Sequence, residues 1–149
     1  MPQKVTVRRL DAGDGAAWEP LFRAYIDFYE ASVADDIIDA TWTRLMAPEP
    51  EYHIGLAAVD EGGHLIGIAH ILFHRSTWST SYYCYLEDLF VAPKAREKGV
   101  GRTLIEAVYA EADARSATRT YWATQEFNDR AGRLYDQVAK KSAFIQYRR

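Results

Sequence analysis

Residues 85–107 read YLEDLFVAPKAREKGVGRTLIEA. The first seven suit a strand, which Pro93 ends because proline donates no backbone hydrogen bond. From Gly101 to Arg115 the pattern is helical, with Leu104, Ile105, Val108 and Ala112 on one stripe. Between strand and helix lies a basic loop spaced by glycines, Arg96-Glu97-Lys98-Gly99-Val100-Gly101-Arg102. A helix N-terminus carries unpaired N–H groups and partial positive charge. Glycines let an anion approach it closely. The loop therefore has the chemistry of a diphosphate cradle, with a glycine-containing turn of solvated basic residues as the alternative. It lacks the third glycine of a dinucleotide fingerprint and the Gly-Lys-Ser/Thr ending of a P-loop.

The elements on either side set the fold class. Val5, Val7 and Leu10 alternate as a short strand. A turn then leads to a helix, on which Leu21, Phe22, Tyr25, Phe28 and Tyr29 recur at three- and four-residue steps. A second helix is expected over Asp36–Met46, ended by the prolines of APEPE. Two apolar runs flank Asp60-Glu61-Gly62-Gly63, the signal of a β-hairpin with glycines at positive φ. Downstream, TRTYWAT reads as a strand and AFIQY as a last strand. Between them a helix opens on Asn128 and buries Ala131, Leu134 and Val138. The order is β α α β β β α β α β. It predicts an α/β (α+β) fold with a mixed sheet, antiparallel at one end, and helices on both faces.

Composition narrows the partners. A chain of 149 residues suits one domain over 1–149. A net charge of −3 gives no global support for nucleic-acid binding. No apolar run approaches the roughly 20 residues of a membrane span. The N-terminus lacks the apolar core of a secretory signal, so a cytoplasmic protein is expected. Cys84 is the only cysteine and lies among strand formers, which favours a small core side chain over a nucleophile. His53, His64, His70 and His74 show no metal-ligand spacing, so no metal is expected.

Arg96 to Gly101, R-E-K-G-V-G, resembles the R/Q-x-x-G-x-G/A signature of the GNAT superfamily of acyl-coenzyme A N-acyltransferases. YLEDLFVAP is similar to that superfamily's fourth strand, and N-D-R-A-G-R-L-Y to its Asn-containing turn and Tyr-bearing helix. The likeness spans Leu65 to Phe144 and resembles most the diamine (spermidine/spermine) N-acetyltransferase branch. It is also similar to the yeast histone acetyltransferase paralogues that act on small amines and D-amino acids.

The resemblance implies a mostly antiparallel sheet of six to seven strands, splayed between strands 4 and 5. It implies acetyl-coenzyme A as co-substrate. Its pantetheine arm would lie along Leu89, Phe90 and Val91, and its pyrophosphate on the amides of Glu97 to Arg102, with Arg96, Lys98 and Arg102 adding charge. Asn128, with Ala131 beside it, would contact the arm or serve only as an N-cap. Tyr135 matches the tyrosine that protonates the leaving thiolate; alone it would read as a core aromatic. Glu87 and Asp88 are adjacent on a strand and should face opposite sides. By resemblance, Glu87 is the base or amine contact, with Glu126 in reserve. Tyr29 and Glu30 are the expected acceptor contacts, beside acids that would favour a cationic amine.

The implied enzyme transfers acetyl to a small primary amine, a polyamine or amino acid, by direct attack in a ternary complex. Protein lysine or N-terminal acetylation, and a non-catalytic acyl-coenzyme A sensor, are the alternatives. The family's seventh strand has no counterpart before Arg149, so the sheet has six strands or a second copy completes it in a homodimer.

Overall fold

The computed structural model describes residues 4–47 and 53–149. The expected helix-stopping prolines Pro48 and Pro50 lie outside these residues. Strand β1 is Thr6–Arg9, followed by helices α1 (Gly15–Phe28) and α2 (Asp35–Leu45). Strands β2 (His53–Val59), β3 (Leu65–Arg75) and β4 (Tyr82–Val91) come next. Helix α3 (Val100–Ala114), strand β5 (Arg119–Tyr121) and helix α4 (Asp129–Val138) complete the order. No helix among the described residues is long and apolar enough to cross a membrane.

The strands lie in the order β1-β2-β3-β4-β5, antiparallel from β1 to β4 and parallel between β4 and β5. The sheet therefore has five strands rather than the expected six to seven. AFIQY forms no strand: Phe144, Ile145 and Tyr147 are 90%, 78% and 89% exposed. Its apolar, aromatic-rich residues suit a strand, but among the described residues no sheet edge pairs with it.

At the hairpin, only Gly63 adopts the left-handed region, with φ 83°. The Asp60 side chain closes the turn by accepting from the amides of Gly62 and His64, each at 2.9 Å.

Helices cover both faces. Helices α1 and α2 bury Trp18, Phe22, Ile26, Ile38 and Leu45 against Ala57, Ile68 and Phe90. The spacing of Trp18, Phe22 and Ile26 is that of one helical stripe. Tyr25 and Tyr29 flank it half-buried, while Phe28 is 50% exposed. On the other face, α3 buries Val100, Leu104, Ile105 and Val108 against Ile71, Phe73, Cys84 and Leu86. Each such side chain contributes about 1.5–3 kcal/mol on leaving water. Helix α4 differs: Ala131, Leu134 and Val138 are only half-buried, not enclosed as expected.

Two irregularities shape the centre of the sheet. Strand β5 pairs with β4 only at Tyr83, Cys84 and Tyr85. Beyond Tyr85 the two diverge, so Leu86–Val91 has no strand partner on that side. This is the expected splay. The β3–β4 register also slips, His70 facing Asp88 while Ile71 faces Leu86. Glu87 is thus the extra residue of a β-bulge.

Gly67 on β3 sits under α3. A Cβ there would lie 3.1 Å from Leu104 Cδ1 and 3.1 Å from the Phe90 carbonyl oxygen. Gly67→Ala should destabilise the fold by about 1–3 kcal/mol through overpacking. Thermal or urea unfolding reads this, and an unchanged midpoint would contradict the close approach.

Candidate active site

After β4 the chain makes a 3-10 turn at Pro93–Ala95 and reaches Arg96. Glu97 and Gly99 are both left-handed, with φ 65° and 80°. Glu97 holds this conformation without glycine's freedom, a local strain of the kind found at ligand clamps. Gly99 ends the loop and gives α3 no side-chain cap. The first bond of the helix runs from the Thr103 amide to the Gly99 carbonyl, 3.1 Å. The amides of Val100, Gly101 and Arg102 precede it and stay available to an anion.

The charged groups of the loop are held differently from one another. Arg96 folds back, its Nε donating to the Val91 carbonyl at 3.0 Å and its guanidinium lying over the rings of Phe90 and Phe28. It braces the end of β4. Glu97 accepts from Arg130 of α4 at 2.5 Å, and this partner holds its carboxyl below the usual range. Arg102 donates to Gln137 of α4. Lys98 is exposed. A Cβ on Gly101 would meet Leu134 Cδ2 at 3.1 Å. Gly101 therefore lets α4 lie close on α3.

Leu89 and Val91 turn their side chains toward α3, and Phe90 is buried toward α1. Asn128 Oδ1 accepts from the Ala131 amide at 3.4 Å, an N-cap for α4. Tyr135 packs edge-on against Trp122, ring centroids 5.3 Å apart.

Tyr135 belongs to a cluster that also draws on α1 and β4. Tyr25 and Tyr29 pack edge to face at 5.1 Å. Tyr25 Oη donates to the Glu87 carbonyl at 3.4 Å. Burial, with the Asp88 carboxylate next in weight, raises the Tyr25 phenol far above its usual range. Tyr29 is raised mainly by burial, and Asp88 adds to it. Tyr135 is pushed up to about 12 by burial and then by Tyr29. All three phenols therefore stay protonated across the neutral range.

The expected site residues divide. The structure brings Tyr29 and Tyr135 into one cluster and leaves Glu30 exposed at the end of α1. Glu87 is exposed because it occupies the bulge. The bulge also breaks the expected alternation with Asp88. Asp88 falls on the face covered by α1, its side chain 17% exposed. Among the described residues no Lys or Arg pairs with it. Its Oδ2 lies 2.8 Å from Nδ1 of His70. Glu126 is exposed, and Trp78 is 86% exposed. Asp35, one of the acids expected to favour a cation, is taken up by Arg23 at 3.0 Å.

Sequence reasoning overlooked Tyr25 and His70. Tyr25 read simply as helix stripe. His70 carried a usable signal, a lone histidine among the apolar residues of GIAHILF. It faces Asp88 only once the register is known. A separate cavity lies toward the β1–β2 end of the sheet, lined by Leu10, Leu45, Met46 and Ile54.

The profile of the acetyltransferase (GNAT) family matches residues 18–139. The D-amino-acid N-acetyltransferase HPA3 of Saccharomyces cerevisiae is 36% identical over 146 residues, covering 98% of this chain and 91% of the relative. A thialysine N-epsilon-acetyltransferase of Caenorhabditis elegans is 36% identical over 72 residues, 48% of this chain and 44% of its own. Among solved structures, the aminoglycoside N-acetyltransferase AAC(6')-Iy in complex with CoA superposes with a TM-score of 0.81 at 18% identity. That superposition covers 100% of this chain and 96% of the neighbour and shows a shared fold.

Gly99→Val forces a β-branched residue into the left-handed region at a cost of about 1–2 kcal/mol. Calorimetric titration with coenzyme A should show affinity weakened by roughly tenfold. Gly99→Asn, which tolerates that region, should lose less. Unchanged affinity for the valine variant would remove the loop from the coenzyme A site.

Proposed function

The chain belongs to the acetyltransferase (GNAT) family, and from that premise we propose that it acetylates a small primary amine, a polyamine or amino acid, at the cleft between β4 and α4. It is an N-acetyltransferase with acetyl-coenzyme A as co-substrate. The residues present fit that group. The uncapped amides of Val100, Gly101 and Arg102 suit its pyrophosphate. The unpaired side of Leu86–Val91 suits the amides of its pantetheine arm. When bound, it supplies the activated acetyl group.

The observation that carries the acceptor reading is one carboxylate, Asp88, beside Tyr25 and Tyr29, with Tyr135 next to Tyr29. A half-buried carboxylate with aromatic faces around it attracts an alkylammonium by charge and by cation–π contact. The relatives named for D-amino acids and thialysine point the same way. An ammonium with a pKa near 10 must lose a proton before it attacks. Asp88, directly or through water, is the carboxylate the geometry favours for that step. Glu87 at the rim is an outer acceptor contact.

Tyr135 is the donor to the departing sulfur. Burial holds its phenol protonated, so it keeps a proton to offer the developing thiolate. Direct attack in a ternary complex fits the only cysteine: Cys84 is fully buried and its thiol is pushed up to about 11 by that burial. A single, buried cysteine also fits a cytoplasmic location.

The chain forms one domain, and its exposed AFIQY segment supports a homodimer in which a second copy covers Phe144, Ile145 and Tyr147. Sedimentation of the full chain should give a dimer, and deletion of residues 143–149 should give a monomer. A full-length monomer would refute this assembly.

A panel of D- and L-amino acids, thialysine, spermidine, spermine and lysine peptides, with acetyl-coenzyme A and thiol release as readout, tests the activity. Turnover is expected on small amines, with intersecting initial-velocity lines. Turnover on peptides alone would favour the protein-acetylating reading. Tight coenzyme A binding without turnover would favour the sensor. Tyr135→Phe should lower kcat by roughly a hundredfold, the scale of a lost acid, with KM for acetyl-coenzyme A little changed. An unaltered kcat would remove Tyr135 from the chemistry.

A further inference from the structure

His70 is 5% exposed, yet it sits in the apolar core beneath α1. Its imidazole is enclosed by Phe22, edge-on at 5.1 Å, and by Trp18 at 5.9 Å between centroids. Both ring nitrogens are engaged. Trp18 Nε1 lies 2.9 Å from His70 Nε2. The indole nitrogen can only donate, so Nε2 must accept. The proton of the neutral ring is then on Nδ1, which donates to Asp88 Oδ2 at 2.8 Å. The three side chains come from α1, β3 and β4, and they form one directed chain from Trp18 through His70 to Asp88.

We propose that His70 is a positioning residue for acceptor binding: it fixes Asp88 Oδ2, turning the carboxylate so that Oδ1 meets the acceptor's ammonium, while Trp18 holds the imidazole in the required tautomer. The proposal rests on the acceptor reading given above. A free aspartate at a splayed strand would swing between rotamers and pair with water. Tying one oxygen to a buried donor removes that freedom before the amine arrives. The neutral ring matters as well, because an imidazolium beside Asp88 would cancel the charge that draws a cation. Protonating Nε2 would also set two N–H groups face to face in a buried contact, leaving a donor unpaired. Trp18 thus contributes its N–H to the site from the core, without touching substrate.

Two measurements test this. The first needs no turnover: long-range 15N–1H correlation of the histidine rings in the wild-type protein near neutral pH. A protonated Nδ1 and a bare Nε2 are expected for His70; the opposite tautomer, or an imidazolium, would overturn the proposal. The second uses the best amine of the panel. His70→Leu should raise the amine KM by roughly tenfold, the scale of a lost charge-assisted hydrogen bond, and leave KM for acetyl-coenzyme A little changed.

His70→Asn places an amide N–H near the Nδ1 position and should restore most of the amine affinity. Adding His70→Leu to Asp88→Ala should change nothing further. Equal damage in the leucine and asparagine variants, or effects that multiply with Asp88→Ala, would mark a merely structural role and refute the proposal. Should His70→Leu fail to fold, Trp18→Phe keeps a ring and removes the donor. It should shift His70 toward the other tautomer and raise the amine KM; an unchanged tautomer would overturn the part given to Trp18. If no amine turns over at all, the acceptor reading fails, whereas the tautomer measurement still decides the hydrogen-bond chain.

Discussion

The register of β4 against β3 slips by one residue at Glu87, and the rest of the cleft depends on that slip. Before it, Cys84 and Leu86 face α3; after it, Leu89 and Val91 do. Had the alternation continued unbroken, Asp88 would share the face of Cys84 and Leu86 in the apolar layer under α3. An unpaired carboxylate there would cost several kcal/mol. The bulge instead sends Asp88 toward α1, where His70 and Tyr25 meet it, and expels Glu87 to solvent. The same region is where β5 has already departed from β4. One extra residue therefore aims the acid into the gap that the departing strand opens.

The cleft is also electrostatically consistent. The carboxylate faces phenols rather than cations, and burial together with its charge keeps Tyr25 and Tyr29 protonated. The cluster combines one carboxylate with several hydroxyl groups. The basic residues lie at the other end, where Lys98 and the start of α3 meet the chain after Val91. The carboxylate and the basic loop are thus separated along a single strand and the loop that follows it.

Much of this was legible in the sequence because it is local. The strand ending at Pro93, the glycine spacing and the helix that follows are fixed by backbone chemistry within a few residues. The stripe on α3 follows from helical period alone. The carboxylate was different. Glu87 and Asp88 can be assigned to faces only if the strand is regular, and nothing in YLEDLFV announces a bulge. His70 became meaningful only through contacts to residues 52 positions before it and 18 after it. AFIQY has the residue types of a strand, but residue type cannot say whether a partner strand is present in the same chain. The helix of Asn128 was found, although its apolar stripe overstated how deeply it packs.

That shallow packing has a mechanical consequence. Helix α4 carries Tyr135 but encloses no side chain fully. Its contacts include Leu134 against Gly101, Arg130 with Glu97, Gln137 with Arg102, the Tyr109 hydroxyl donating to the Val138 carbonyl, and Tyr135 edge-on to Trp122. Three of these five involve the glycine-spaced loop or the first turn of α3. The loop and the helix that holds the tyrosine are therefore packed as one unit. The left-handed Glu97 is where the two functions join, since its backbone shapes the loop while its carboxylate holds Arg130. Tyr135 is thus positioned largely through the loop and the first turn of α3, whereas Asp88 is held by the core.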